Sequence, residues 1–375
     1  MNKEKICNPR RGKTGGEALI EGVMMKSAKR YAVSVRLEDG SIRTKVEDYH
    51  PAKEKHAFLG WPIIRGLVNF VESMVLSMKC LNYSADCLGI DEAEPETKFE
   101  KWLDRKFGDK LTGVIMGVGT VLGLILAFAL FFVLPGLAGK GVNALFANSL
   151  TWQLSLVEGV IKIAVFVAYI WAVSLMRDIR RTFEYHGAEH KTIFCYESGE
   201  ELTVENVKKQ SRFHPRCGTA FMFVMMFVSI LVFSLIYLIP GFDTENTLLR
   251  ILIRLPVLPL IFGLGYEFIR FAGCHDGIII RILCQPGLWM QRLTTREPDA
   301  EQIEVAIMSL KLSLIEEFPE AEAEAAAVAP KEDAPKEDAP VSENAEGAES
   351  TEATESVEKA ESTDTTKSTE SEEQA

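Results

Sequence analysis

From Leu111 to Gly139 the chain carries no charged side chain. Roughly 20 apolar residues of helix cross the hydrocarbon core of a bilayer, where backbone groups must satisfy their own hydrogen bonds. This run exceeds that length and reads as a membrane-spanning helix. Cys217 to Phe242 is a second uncharged run. Between them, Trp152 to Met176 is apolar except for Glu158 and Lys162, which stand four apart in the order that lets each partly neutralise the other. Leu248 to Phe268 is the least regular run, with Arg250 and Arg254 at its start, Pro256 and Pro259 within, and Glu267 near its end. Four spans is the expectation; three spans and a re-entrant segment is the alternative.

Loop charge orients these spans. Lys98, Lys101, Arg105, Lys106 and Lys110 precede the first, eight basic residues fall within 177–218, and residues 135–153 hold only Lys140. The positive-inside rule then places both termini and the 177–218 loop in the cytoplasm of a cell-membrane protein. The N-terminus "MNKEKICNPRRGKTGG" has no apolar core of a cleavable signal.

The formal charge of −12 belongs to one end. From Pro319 onward there are 18 acidic and 4 basic residues, a net −14, which leaves the rest of the chain at +2. No basic surface argues for nucleic acid. The same end has no aromatic residue and almost no branched aliphatics, too little apolar surface to offset the entropy of ordering, so it reads as a disordered, solubilising tail. The cysteines at 7, 80, 87, 195, 217, 274 and 284 are odd in number and scattered, unlike a disulfide framework.

The expected class is mainly α, a multi-pass helical membrane protein with a small N-terminal α+β region. Residues 1–14 form an arm. Residues 15–110 form the α+β region, with a hairpin on Asp39-Gly40 inside "YAVSVRLEDGSIRTKVEDY" and an amphipathic helix in "GWPIIRGLVNFVESMVLSMKCL". Residues 111–270 form the membrane domain, with the loop 177–217 outside the bilayer. Residues 271–318 form a helical segment, where Asp299 and Gln302 can close a capping box and Ile303, Ile307, Leu310 and Leu314 share a face. Residues 319–375 are the acidic tail. Partners are membrane lipids and membrane proteins.

"EYHGAEHKTIFCYESG" holds the chemistry. His186 and His190 stand at i,i+4 on one helical face, a spacing at which two imidazoles reach one metal. With Glu189 they read H-x-x-E-H, a pattern found in zinc peptidases, where the carboxylate is a base and not a ligand. "SRFHPRCGT" brings His214 and Cys217 to the foot of the next span, and Glu267 lies near the end of the fourth. Such residues also occur at span ends as ordinary interfacial groups, and Glu189 can pair with Lys191. Cys217 next to Arg216 and near His214 is a soft metal ligand or half of a Cys–His nucleophile pair. Cys274-His275-Asp276 is a second cluster of ligand types. "GGEALIEGVMM" lacks the spacing and the Lys-Ser/Thr ending of a phosphate loop and reads as a tight turn into a buried strand; Glu17 and Glu21 join the site only if that strand reaches it.

Together "GGEALIEGVMM", "YHGAEHKTI", "LTVENV", "SRFHPRCG" and "PGLWMQRLTTREP" resemble the bacterial YqhQ-like family, over about residues 12 to 317. These are multi-pass membrane proteins of unknown function described as predicted metal-dependent enzymes. The resemblance implies a metal and a site drawn from His186, Glu189, His190, His214, Cys217 and Glu267. The tail and Cys274-His275-Asp276 look peculiar to this sequence.

The expectation is a divalent metal, zinc first and iron or nickel as alternatives, held by His186, His190 and His214 with Glu267 or Cys217. Glu189 is the expected base of a hydrolysis near the membrane surface. The rival is a non-enzymatic membrane assembly or scaffold protein with a structural metal or polar network. A transporter fits less well, because intramembrane ionisable residues are few and no repeat is evident. The orientation is testable: a cysteine introduced at Asn148 should react with an impermeant maleimide on intact cells, and one at Gly199 should not.

Overall fold

The computed structural model describes residues 10–89, 111–146, 153–236, 255–274 and 277–330, with isolated positions between 237 and 254. Four strands, β1 (Gly15–Leu19), β2 (Gly22–Lys26), β3 (Arg30–Arg36) and β4 (Ile42–Asp48), pair as an antiparallel meander in chain order. The expected hairpin is present with a wider turn. Arg36 pairs Ile42, and Leu37 N–H donates to Ser41 O at 2.9 Å, which leaves Glu38-Asp39-Gly40 as the loop. Gly40 takes φ +84°, and the Asp39 carboxylate accepts from Ser41 N–H at 2.9 Å. "GGEALIEGVMM" is a second hairpin rather than a single strand, turning at Ile20-Glu21.

Side chains alternate across the sheet. Leu19, Met24, Tyr31, Val33 and Val35 pack on Leu76 and Cys80 of the amphipathic helix α1 (Ile64–Cys87). Val23, Met25 and Ile42 face the other way, onto two further helices described below. Burying each of these aliphatic side chains is worth roughly 1.5–3 kcal/mol. The sheet is thus covered on both faces.

Among the described residues four helices are long and apolar enough to cross a membrane: Val118–Leu145, Gln153–Val173, Gly218–Ile236 and Leu255–Ala272. The first joins α2 (Leu111–Phe128) to α3 (Leu134–Leu145) through a π turn at Ala129–Val133. Pro135 follows that turn; a proline there has no N–H for the preceding turn, and a wider turn accommodates it. The second span is α4 (Gln153–Val173). The third is α7 (Gly218–Ile236), which follows α5 (Arg177–Ser198) and the short α6 (Val204–Lys209). The fourth comprises a 3-10 turn at Leu255–Val257 and α8 (Leu258–Cys274). Of the expected run Leu248–Phe268, the described residues are continuous from Leu255 onward. Pro256 lies in the 3-10 turn and Pro259 in the first turn of α8, where a missing N–H is tolerated, and Arg250 and Arg254 lie outside the described residues.

α5 does not continue α4. Ser174 to Met176 break the helix, and Met176 is extended at φ −71°, ψ 137°. The break separates the histidine pair from the span, and α5 runs unbroken through Gly187. It ends on Gly199 at φ +76°. α9 (Ile278–Thr294) packs on α7, and α10 (Ala300–Ser313) lies between the sheet and α5. The expected capping box is present: Asp299 accepts from Gln302 N–H at 2.8 Å, and Gln302 accepts from Asp299 N–H at 3.0 Å. Ile303, Ile307 and Leu310 enter the core with Tyr185, Ala188 and Ile193 of α5.

The tail starts later than composition indicated. α11 (Ala321–Val328) buries Ala321 and Ala325 against Ala32, Met308 and Leu312, and Glu324 pairs with Lys311 at 2.7 Å. Small alanines let this helix lie close to its neighbours, a signal that overall acidity concealed. The rest of the expected tail, 331–375, lies outside the described residues, as do His275 and Asp276. A chain ending after Phe318 should melt at least about 2–4 °C below one ending after Pro330, the shift produced by ~1 kcal/mol in a domain of this size. Equal thermal midpoints would show that α11 contributes nothing.

Candidate metal centre

Two imidazoles and one thiol converge. The ligand atoms of His186, His190 and Cys217 all lie within 4.8 Å of one another. The i,i+4 spacing on α5 brings the two rings to 4.4 Å between centroids. Cys217 occupies the N-cap of α7, and its Sγ accepts from Thr219 N–H at 3.4 Å and contacts Thr219 Oγ1 at 3.1 Å. A helix N-terminus favours the thiolate there.

Both imidazoles are held by their Nδ1. His186 Nδ1–H donates to Thr294 O at 2.8 Å, and His190 Nδ1–H donates to Arg212 O at 2.5 Å. In the neutral imidazole each Nε2 is then the lone-pair nitrogen. His186 Nε2 stands 3.2 Å from Cys217 Sγ, and His190 Nε2 is buried with no hydrogen-bond partner. Burial alone would push the Cys217 thiol up, but the neighbouring imidazoles hold it well below the ordinary thiol value. Burial favours neutral His186, but the thiolate outweighs it and the imidazole is pushed up to about 9.

Glu189 lies between the histidines in sequence and is buried, which raises its pKa. Its carboxylate has no hydrogen-bond partner among the described residues. It does not pair with Lys191, whose Nζ reaches Glu297 at 2.7 Å and Lys208 O at 3.0 Å. β1 reaches the site, so Glu17 joins it: burial raises its pKa, Ser77 donates to it, and the His186 charge acts on it. A Cβ on Gly16 would stand 2.8 Å from Glu189 Cγ, so the glycine of this hairpin serves close approach rather than phosphate binding. His186, Glu189, His190 and Cys217 all line one cavity of about 630 Å³.

Two expected ligands face other partners. Glu267 accepts from Arg65 Nε at 2.6 Å and Nη2 at 2.5 Å, binding α1 to the fourth span. His214 adjoins the cluster, 5.6 Å between ring centroids from His190, but its Nε2 faces Glu197 at 3.7 Å and its Nδ1 accepts from Arg216 N–H at 3.3 Å. The backbone of His214 is clamped by Gln291 through two bonds of 2.7 Å. Sequence reasoning left out Gln291, Thr294, Arg212 and Thr219. Three of them sit in the quoted segments "PGLWMQRLTTREP" and "SRFHPRCG", but backbone carbonyls carry no side-chain signature.

The model of the family described as "Protein of unknown function (DUF1385)" matches residues 61–316. The chain belongs to this family. It is also 33% identical over 301 residues to the "Uncharacterized protein YqhQ" of Bacillus subtilis (strain 168), covering 79% of this chain and 90% of that protein. The resemblance read from the motifs therefore holds. No solved structure matches the chain. The family span includes His186, Glu189, His190 and Cys217, while Gly16 and Glu17 precede it.

Beside the cluster, Glu197 accepts from Gly12 N–H at 2.9 Å and pairs with Arg216. Burial pushes this carboxyl up, but His214, the Gly12 N–H and Arg216 outweigh it and hold it at about 2 against an ordinary 4.5. A depressed folded pKa contributes stability above the unfolded value, and that contribution is lost as pH falls from about 4.5 to about 2. Wild-type thermal midpoints should therefore drop steeply across this window, and Glu197→Gln should flatten the drop while lowering the neutral-pH midpoint. Parallel curves would remove the assignment.

Proposed function

We propose that this protein is a metal-dependent hydrolase of the cell membrane, with its centre at the cytoplasmic edge of the spans. The observation that carries the reading is the buried, unpartnered Nε2 of His190, set beside His186 Nε2 and Cys217 Sγ while both Nδ1 atoms are committed to carbonyls. This donor set suits a divalent ion, and the mixture of imidazole and thiolate suits zinc. A structural site is closed by four protein ligands, whereas these three line a cavity, which favours an enzyme over a metal-stapled scaffold. When bound, the ion supplies Lewis-acid polarisation and lowers the pKa of water to roughly 7.

Hydrolysis forms a bond from a water oxygen to an electrophilic carbon or phosphorus, breaks the bond to the leaving group, and moves a proton from water to that group. Glu189 carries the proton in this scheme. Its lone pairs are uncommitted, and burial shifts its pKa in the direction that suits a base that must also return the proton. His214 and Gln291 position the loop before Cys217, and Glu267 fastens α1 to the fourth span.

Gently purified protein should carry about one equivalent of metal. His190→Ala and Cys217→Ser should each weaken binding by at least ~100-fold, since losing one of three ligands removes a large share of the binding energy. Cobalt-loaded wild type should show a thiolate-to-cobalt charge-transfer band that Cys217→Ser lacks. Glu189→Gln should retain both metal and band. Wild-type protein that takes up neither native metal nor cobalt ends this reading, and loss of metal from Glu189→Gln makes Glu189 a ligand.

A further inference from the structure

The cavity that holds the cluster has a second, apolar half. Phe70 of α1, Phe221 of α7 and Ile269 of α8 form its walls. Met74 of α1 and Met222 in the opening turns of the third span line it too, and both are also exposed on the outside, at 51% and 43%. Methionine is a side chain that adapts to flexible apolar ligands. Met74 belongs to an exposed apolar stripe of α1 with Val71, Val75 and Met78, and Trp61 and Phe58 stand exposed ahead of the helix. That is the pattern of a helix lying in a membrane interface, with an aromatic residue at its end. α1 is held at the end of the fourth span by Arg65–Glu267 and by Gly66, where a Cβ would come within 2.9 Å of Gly263 Cα. The apolar wall of the cavity is therefore continuous with the surface that faces lipid.

The other end is polar and carries both signs of charge, with Glu17 and Glu54 among its lining. Gly15, Gly16, Asn69, Ser73 and Tyr266 line both this cavity and an adjoining one of about 920 Å³. In the adjoining cavity Lys13, Lys29 and Arg30 are neutralised by Glu317, Glu316 and Asp48. Lys26 and Lys53 line it with no carboxylate at ion-pair distance among the described residues. Lys26 Nζ lies 3.5 Å from the centroid of the Tyr49 ring. The neighbouring Glu72 is occupied by the Tyr49 hydroxyl at 2.9 Å and Ala52 N–H at 2.5 Å. Burial lowers the Lys26 pKa, and an anion alongside would reverse that shift.

We infer that the substrate is an anionic membrane lipid, taken sideways from the bilayer between Met74 and Met222. Its hydrocarbon lies among Phe70, Phe221 and Ile269, its charged head lies toward Lys26 and Lys53, and its linkage passes His186 and Cys217 between them. A water-soluble substrate would gain nothing from an apolar half open to the bilayer. A lipid without charge would leave the two lysines without use. The placement of the linkage rests on the hydrolase reading above; occupancy of the cavity by lipid does not, and is tested without metal.

The test is protection of Cys217 from N-ethylmaleimide in metal-free wild-type protein, followed by mass spectrometry of the Cys217 peptide. The protein is placed in phosphatidylcholine nanodiscs, alone or with phosphatidylglycerol or phosphatidic acid at an equal fraction. Anionic lipid should slow the labelling of Cys217 at least about tenfold, and free glycerol phosphate or inorganic phosphate should leave the rate unchanged. Lys26→Gln with Lys53→Gln should abolish the difference between anionic and neutral discs. Met74→Glu should reduce protection by anionic lipid with both lysines in place. Labelling of Cys80, buried under the sheet, reports whether each variant is folded. Equal rates in all discs overturn the inference whatever the metal analysis shows. Protection by free phosphate as strong as by lipid overturns the membrane source, and protection that survives the double lysine substitution overturns the head-group assignment. Failure of metal binding with lipid protection intact separates the two readings.

Discussion

The carbonyl oxygen of Arg296 lies 1.9 Å from where a Cβ on residue 187 would stand. Glycine at 187 is thus the condition for the crossing of α5 by the segment that joins α9 to α10. The crossing sets much else. Arg296 N–H donates to Phe183 O at 2.8 Å, Thr294 presents its carbonyl to His186, and Glu297 reaches Lys191 and Arg212. Three residues beyond Arg296, Asp299 caps α10, whose apolar face then closes over the sheet. A glycine inside a helix costs about 1 kcal/mol relative to alanine. Here that cost is offset by a contact no other residue permits.

The second organising element is α1, shared between two environments. One side packs on the sheet through Leu76 and Cys80, and Gly66 meets Gly263 of the fourth span. Ser77 and Ser84 turn inward to Glu17 and to Ile20 O. The helix was legible as amphipathic from its sequence, but amphipathicity describes one apolar face. α1 is in contact with the sheet, a membrane helix and an exposed surface at once, and only the tertiary structure separates those roles.

Local patterns were legible where a property is carried by neighbours in sequence. Uncharged length gave the spans, Asp299 and Gln302 gave the capping box, and the i,i+4 spacing gave the His186–His190 pair. What was not legible depends on partners far along the chain. Glu267 was expected among ligands because it sits near a span end; Arg65, some 200 residues earlier, takes both its oxygens. His214 was expected beside the pair and is beside it, but Glu197 and Arg216 determine which way its nitrogens face. Glu17 enters the site only because the β1–β2 hairpin lies against α5. The start of the acidic tail was misplaced because net charge averages over α11, whose two buried alanines contribute nothing to that average.

The break at Ser174 to Met176 has a mechanical meaning. Helices that cross a bilayer tilt as its thickness changes. A continuous helix from Gln153 to Ser198 would act as a lever and carry every degree of tilt into the histidine pair. The turn at Ser174 to Met176, where Ser174 Oγ–H donates to Trp171 O at 2.7 Å, interrupts that lever. The histidine pair is thus referenced to the sheet and to α10 rather than to the axis of the second span, while Cys217 moves with the foot of the third.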